Sequence, residues 1–288
     1  MDFLVIGGTG LVGSNVVTAT TDEHTVQWTS RNSKSEGHEL DKTERDRTTE
    51  LISKLNPDVV VDTAAFHAVD DCEHSRAKAY DVNGTGTRNV AIAADDVDAH
   101  LIYFSTDYVF AGLPEETPYK ESDYVAPINY YAETKYVGEQ AAKIAAKHTI
   151  LRPSVIYGLS SDNFVTWALG ELDAGNEITI VNDQISAPTY APDLAQACLD
   201  IAEQEITGLY HATGPESCSR YEFTVRLAEV YDYDTDLVKP ITTEEFGQEA
   251  PRPSDSTLDS TALYEQLTEE FTPPKQAFSE MAPQISSD

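Results

Sequence analysis

An apolar run, Phe3-Leu4-Val5-Ile6, stops at Gly7-Gly8-Thr9-Gly10-Leu11-Val12-Gly13-Ser14, and a helix-forming stretch through Val16 and Val17 follows. A strand that ends in a glycine-rich turn and reopens as a helix leaves few folds available. The turn reads as G-x-G-x-x-G from Gly8 or as G-x-x-G-x-x-G from Gly7. Such glycines serve three needs: a tight turn, close approach of a pyrophosphate to the backbone, and close packing of helix on strand. The helix N-terminus then offers free N–H groups and the positive end of its dipole to an anion. A glycine turn without a ligand is the alternative, and the strand-before, helix-after setting argues against it.

The alternation continues. Residues 25–29 predict a second strand, 57–61 lead into a third, and 100–105 form a fourth. Helical stretches lie between them, clearest at 75–94 and 132–146, and 149–151 resume the sheet. Strands buried on both faces and separated by helices predict an α/β fold, a doubly wound parallel sheet of the Rossmann type. After about residue 155 the rhythm changes to scattered prolines and short elements such as 178–181. The expected division is a nucleotide-binding domain over 1–155 and a smaller α/β lobe, mainly substrate-binding, over 156–288, the two interleaved. Residues 271–288 are polar and contain proline, which predicts a loosely held end.

The 288 residues include 19 Lys plus Arg against 50 Asp plus Glu, a formal charge of −31. With 40% hydrophobic residues, 15 Tyr and 9 Phe, this acidity is not that of a disordered chain. Phosphate backbones are repelled by such a surface, so no nucleic-acid partner is expected. No apolar run approaches the roughly 20 residues that span a bilayer, and the N-terminus lacks the basic start of a signal peptide. Cys72, Cys198 and Cys218 are widely separated and predict reduced thiols in a cytoplasmic protein. No metal-ligand spacing occurs.

At the end of the second strand an NAD-binding unit usually places an acidic residue on the ribose hydroxyls. This chain has Thr29-Ser30-Arg31-Asn32. Ser30 and Arg31 suit a 2′-phosphate, because a guanidinium binds phosphate through two parallel hydrogen bonds. NADPH is therefore the expected cofactor, with NADH as the alternative.

Tyr131 and Lys135 stand four apart in a helical stretch, so they project from one face. An ammonium near a phenol lowers its pKa from about 10, and the phenol can then serve as general acid toward a carbonyl oxygen. Thr106, in Ser105-Thr106-Asp107-Tyr108-Val109-Phe110, follows the strand at 100–105, at the sheet edge where ligands of parallel sheets bind. A hydroxyl there can hydrogen-bond a developing oxyanion.

Together these residues resemble the extended short-chain dehydrogenase/reductases, and within them the dTDP-4-dehydrorhamnose reductase family. The resemblance also rests on Ala64-Ala65-Phe66-His67-Ala68-Val69-Asp70, Val82-Asn83, Pro127-Ile128-Asn129-Tyr130-Tyr131 and Lys135-x-x-Gly138-Glu139. Asn163-Phe164, Asp183-Gln184, Pro188-Thr189, Asp193-Leu194-Ala195 and the block from Arg252 to Asp259 extend it over nearly the whole chain. It implies nicotinamide-dependent reduction of the C4 ketone of a dTDP-linked 6-deoxy-hexulose, giving dTDP-L-rhamnose. It implies Thr106, Tyr131 and Lys135 as the catalytic set. Gly7, Gly10, Leu11 and Val12 would lie at the pyrophosphate, Ala64, Ala65 and Phe66 along the cofactor, and Asp41 near the adenine. Asp107 and Tyr108 would contact substrate.

Two positions depart from the family pattern. Val155 stands where the family commonly has a tryptophan facing the sugar, so that aromatic platform is absent. Asp62 stands where members often carry asparagine. Because cofactor and sugar nucleotide are both polyanions, positive charge must be gathered locally. Arg252 is the candidate for the substrate diphosphate, with a loop-fixing arginine as the alternative. His67 and His211 read as structural histidines. Rival functions within reach of the same motifs are a nucleotide-sugar epimerase or dehydratase and a noncatalytic subunit resembling that of methionine adenosyltransferase. A homodimer is left open.

Charge of this size repels itself unless screened, and the screening length falls to about 3 Å at 1 M salt. The chain is therefore expected to be adapted to high salt. Melting followed from molar KCl down to dilute buffer should show a falling Tm; a constant Tm would remove the argument.

Overall fold

The structure is a computed structural model that describes residues 1–20, 24–32 and 37–285, with side chains through 283. The strands are β1 (Asp2–Ile6), β2 (Thr25–Ser30), β3 (His38–Glu39), β4 (Val59–Asp62), β5 (His100–Phe104), β6 (His148–Arg152) and β7 (Ile156–Tyr157). They continue with β8 (Ile178–Val181), β9 (Ile185–Ser186), β10 (Thr189–Tyr190), β11 (Gly208–His211), β12 (Cys218–Ser219) and β13 (Val238–Ile241). The first helices are α1 (Leu11–Thr20), α2 (Arg45–Leu55), α3 (Val69–His74), α4 (Arg76–Tyr80), α5 (Thr87–Asp96) and α6 (Tyr130–Ala142). After them come α7 (Phe164–Asp173), α8 (Ala191–Glu203), α9 (Arg220–Val230), α10 (Thr243–Phe246), α11 (Thr261–Tyr264) and α12 (Pro274–Ile285).

Seven strands form one sheet in the order β3-β2-β1-β4-β5-β6-β11, with every pairing parallel. This is the doubly wound Rossmann-type arrangement, in which the order reverses between β1 and β4 and opens a crevice at their C-terminal ends. Alternate residues face opposite helix layers. Phe3, Val5, Val59, Val61, Ile102 and Phe104 pack toward α1 and α8, while Leu4, Ile6, Val60, Leu101 and Tyr103 pack toward α2, α5 and α6. Both faces are apolar because both are covered. The second half of the chain also enters this sheet, since α8 packs on α1 and β11 pairs with β6.

The remaining elements form a smaller lobe. There β8 pairs with β13 and β9 with β12, over a core of Tyr157, Phe223, Leu227, Phe278 and Met281. The three cysteines are buried and unpaired. No helix among the described residues is long and apolar enough to cross a membrane.

Two expectations need correction. The helix expected over 75–94 is interrupted by one π turn, Asp81–Gly86, between α4 and α5. Gly86 in this turn lies against the Lys42 stem, where a Cβ would be 2.7 Å from Lys42 Cγ. The end of the chain is a helix, α12, rather than a loose tail; residues 286–288 lie outside the described residues. Its apolar positions Ala277, Phe278 and Met281 recur at helical spacing and are fully buried. Phe278 meets Phe223 edge to face, with ring centroids 4.9 Å apart. Phe278→Ala should cost about 3–5 kcal/mol of unfolding free energy in a denaturant titration; a loss below about 1 kcal/mol would show that α12 is not needed to close the lobe.

Candidate active site

Gly7 turns the chain out of β1 with φ at +87°, a region L side chains rarely enter. A Cβ on Gly13 would lie 2.2 Å from the Gly7 carbonyl oxygen, so glycine is what lets α1 approach. The Gly10 N–H donates to Gly7 O at 3.0 Å and the Ser14 N–H to Gly10 O at 2.9 Å. Among the described residues, no protein acceptor meets the N–H groups of Leu11, Val12 and Gly13. A chain with 50 acidic residues places none of them in the first turn of α1. The end of this helix is thus open to an anion.

Beside it, β2 ends at Ser30, whose hydroxyl donates to Asn32 O, and Arg31 is exposed just beyond. Burial pushes the Asp41 carboxyl up, but hydrogen bonds from the Thr43 N–H and hydroxyl, with the charges of Arg31 and Lys42, carry it below its usual range. Arg31 and Asp41 therefore border one region at the far side of the crevice. The strap leaving β4 carries Ala64, Ala65 and Phe66, all partly exposed. Asn83 holds Phe66 from both sides, accepting from its N–H at 2.8 Å and donating to its carbonyl at 3.1 Å. The same amide donates to Thr134 on α6, tying the strap to that helix.

At the C-terminal end of β5 the Thr106 hydroxyl faces the Tyr131 phenol closely enough to favour its ionised form. Tyr108 packs edge-on against Tyr131, with centroids 6.3 Å apart. The Lys135 ammonium lies under this pair but turns inward, donating to Phe104 O at 2.5 Å and resting 4.4 Å above the centre of the Tyr103 ring. Its resting partners are thus Phe104 O and the Tyr103 ring. Burial drives the Tyr131 phenol well above its ordinary value, the Thr106 hydroxyl opposes that shift, and the Asp107 carboxylate adds to it. Burial also brings Lys135 down to about 7, assisted by the Lys42 charge and opposed by Asp62 and Glu139.

Helix α6 is anchored from below. Glu139 accepts from Arg152 Nε at 2.8 Å and from its terminal nitrogen at 2.9 Å, and from the Ser105 hydroxyl at 2.7 Å. Arg152 and Glu139 side chains are 2% and 0% exposed. The His211 ring meets Asp259 O at 3.2 Å and Arg152 at 3.5 Å, and burial holds it near 3, a neutral structural histidine; His67 is exposed.

On the substrate side the structure redistributes roles. Asp107 is buried rather than presented, accepting from the hydroxyls of Thr106, Ser154 and Ser256. Val155 sits next to Ser154 with φ at +40°, a strained conformation for a β-branched residue. Arg252 is engaged: it donates to both oxygens of Asp70 at 3.0 Å and to Ala250 O at 2.7 Å, with its side chain 8% exposed. A diphosphate would have to displace a bidentate carboxylate from it, and the loop-fixing alternative describes these contacts. Arg220, which sequence reasoning passed over, starts α9 with its guanidinium 5.5 Å from the centre of the Phe164 ring. It has no carboxylate within ion-pair distance among the described residues, yet its charge reaches Asp107.

The sequence pattern described as RmlD substrate binding domain matches residues 1–286. The chain is 38% identical over 210 residues to the spore coat polysaccharide biosynthesis protein SpsK of Bacillus subtilis, covering 73% of each. It is 31% identical over 266 residues, 88% of each chain, to a probable low-salt glycan biosynthesis reductase, Agl14, of Haloferax volcanii. A crystal structure of dTDP-4-dehydrorhamnose reductase from Bacillus anthracis in complex with NADP superposes with a TM-score of 0.91 at 31% identity, covering 98% of this chain and 99% of that one.

The chain belongs to the dTDP-4-dehydrorhamnose reductase family. It is accordingly an NAD(P)-dependent oxidoreductase. Within that family, this member carries two features that motif spacing does not show. One is Arg220 beside Phe164. The other is Lys42, whose only sequence signal is the carboxylate of Asp62 in a strand otherwise made of valines. A buried carboxylate requires a cation.

Between about 7 and its ordinary 10.5, Lys135 binds fewer protons in the folded than in the unfolded chain, so its burial cost to stability falls as pH rises through that window. If the reaction uses the ammonium form, kcat/KM should fall as pH rises through about 7. Lys135→Met should lower the rate and remove that limb; a variant that keeps the limb would assign it to another group.

Proposed function

We propose that this chain reduces the C4 ketone of a dTDP-linked 6-deoxy-4-keto sugar with NADPH, dTDP-4-dehydro-L-rhamnose going to dTDP-L-rhamnose. The observation that carries the reading is the Thr106 hydroxyl facing the Tyr131 phenol at the C-terminal edge of β5, beside a helix end open to anions. The crevice suits a dinucleotide. Unpartnered N–H groups head α1, a Cβ on Gly10 would meet nothing nearer than 3.4 Å, and no carboxylate lies in the first turn of that helix. Gly7, Gly10, Leu11 and Val12 would hold the pyrophosphate, Ser30 and Arg31 a 2′-phosphate, and Asp41 with Ala64–Phe66 the flanks. When bound, the dihydronicotinamide supplies hydride.

The residues of the chain do the rest. Tyr131 holds its proton at neutral pH and donates it to the sugar oxygen as negative charge develops there. Thr106 lies beside the phenol and would orient the sugar oxygen by turning its one hydroxyl proton to it from Asp107, which accepts that proton in the resting arrangement. Lys135 sets the charge under the phenol. The smaller lobe carries the sugar nucleotide, with Tyr108 and Val155 toward the sugar and Arg220, rather than Arg252, toward the diphosphate. The free, buried thiols support a reducing, cytoplasmic setting.

An NADPH-consumption screen over dTDP- and UDP-linked 4-keto sugars at molar salt tests the reading. Stoichiometric loss of NADPH is expected; turnover without net consumption would indicate an epimerase or dehydratase instead. Tyr131→Phe should lower kcat by about 10²–10⁴-fold with cofactor affinity retained. Arg31→Ala should weaken NADPH more than NADH, and equal losses would remove the argument for phosphate recognition. Arg220→Ala should raise KM for the sugar nucleotide by about tenfold or more. Arg252→Ala should chiefly lower Tm, and the reverse pattern would return the diphosphate to Arg252.

A further inference from the structure

The departure at Asp62 has a structural partner. Lys42 Nζ donates to Asp62 Oδ1 at 3.0 Å and Oδ2 at 2.8 Å, with side chains 3% and 0% exposed. Two more oxygens surround the ammonium: Ala64 O at 2.6 Å and Thr87 Oγ1 at 3.2 Å. Asp62 Oδ1 in turn accepts from the Ala64 N–H at 3.3 Å. The pair therefore grips Ala64 by both backbone polar groups, as Asn83 grips Phe66. Ala65, between the two clamped residues, is partly exposed.

The slot is shaped for a lysine. Its stem passes Gly86 in the π turn, where any Cβ would lie 2.7 Å from Lys42 Cγ. Asp62 is the last residue of β4, level with Ile6 of β1, so the pair lies directly beneath the point where the strand order reverses. Burying two charges is a poor way to gain stability, because their desolvation offsets most of their attraction. A positional role explains the arrangement better. The charges also act on Lys135 in opposite senses, Lys42 lowering its pKa and Asp62 raising it.

We propose that Lys42 and Asp62 are positioning residues that fix the backbone of the 64–66 strap, and through it the affinity for the dinucleotide. This rests on the reading of the crevice as a dinucleotide site. The test uses the full chain with Lys42→Met/Asp62→Asn, which removes both charges at similar volume, and Thr87→Val, which removes the hydroxyl that accepts from Lys42 and donates to Asp62 at 3.3 Å and keeps the charges. Three quantities are measured: Tm, the Kd for NADPH by fluorescence titration, and amide hydrogen exchange of residues 64–66 without added nucleotide.

The double variant is expected to keep a Tm near that of the parent, to bind NADPH about tenfold more weakly, and to exchange faster at 64–66. Thr87→Val should shift Kd and exchange in the same direction by less, which keeps the test decisive if the double variant does not fold. A lowered Tm with unchanged Kd and unchanged exchange at 64–66 would show a merely structural pair and overturn the proposal. If the parent binds neither NADPH nor NADH, the reading of the crevice fails, and exchange at 64–66 still decides whether the pair holds the strap.

Discussion

One carboxylate fastens α6, the helix of Tyr131 and Lys135, to the sheet. Glu139 takes two hydrogen bonds from Arg152 on β6 and one from Ser105 just past β5, all out of solvent. Tyr131, Lys135 and Glu139 are spaced at four-residue intervals, so anchoring the last orients the other two along the same stripe of α6. One turn away, Gly138 lets the helix sit close enough for the Tyr103 hydroxyl to reach Lys135 O at 3.3 Å; a Cβ there would collide with that hydroxyl. Removing either member of the Arg152–Glu139 pair would strand a buried charge, a defect of about 3–5 kcal/mol. The site thus depends on an interaction that touches no ligand.

Charge distribution follows from the same economy of cations. Only 19 Lys and Arg face 50 Asp and Glu, yet Lys42, Lys135, Arg152 and Arg252 are all largely withdrawn from solvent, around or beneath the crevice. Three of the four meet a carboxylate, Lys42 at Asp62, Arg152 at Glu139 and Arg252 at Asp70, so the withdrawn cations are largely matched. Repulsion of a polyanion by the acidic surface at a distance and hydrogen bonding by the open N–H groups of α1 at contact are therefore separate effects. Salt screens the first effect strongly and the second much less.

Much of this was legible from residue order. The strand–glycine–helix junction, the alternation over the first 150 residues and the positions of Thr106, Tyr131 and Lys135 follow from periodicity and spacing. What spacing does not carry is the direction of long side chains and the identity of distant partners. Tyr131 and Lys135 share a helix face, but the ammonium finds Phe104 O and the Tyr103 ring, groups some thirty residues away. Arg252 meets Asp70 across 182 positions, and its engagement is invisible in its own motif. The helix at α12 was hidden by Pro283 and by polar neighbours, although Ala277, Phe278 and Met281 already stood on one face. The glycine at position 86 has its reason in the stem of Lys42, some forty residues away, which no local pattern shows.

The position of Lys135 changes what the phenol is asked to do. A phenol lowered toward neutrality would spend part of its time without the proton it must give. Tyr131, raised by burial, keeps that proton. An alkoxide formed from a ketone is a stronger base than a phenolate, so transfer stays favourable even from a phenol of raised pKa. Its cost appears afterwards, as a buried phenolate that needs nearby positive charge. Lys135, brought down to about 7 by burial and by the opposed charges of Lys42, Asp62 and Glu139, would meet that need in its ammonium form. The two groups then titrate as a pair.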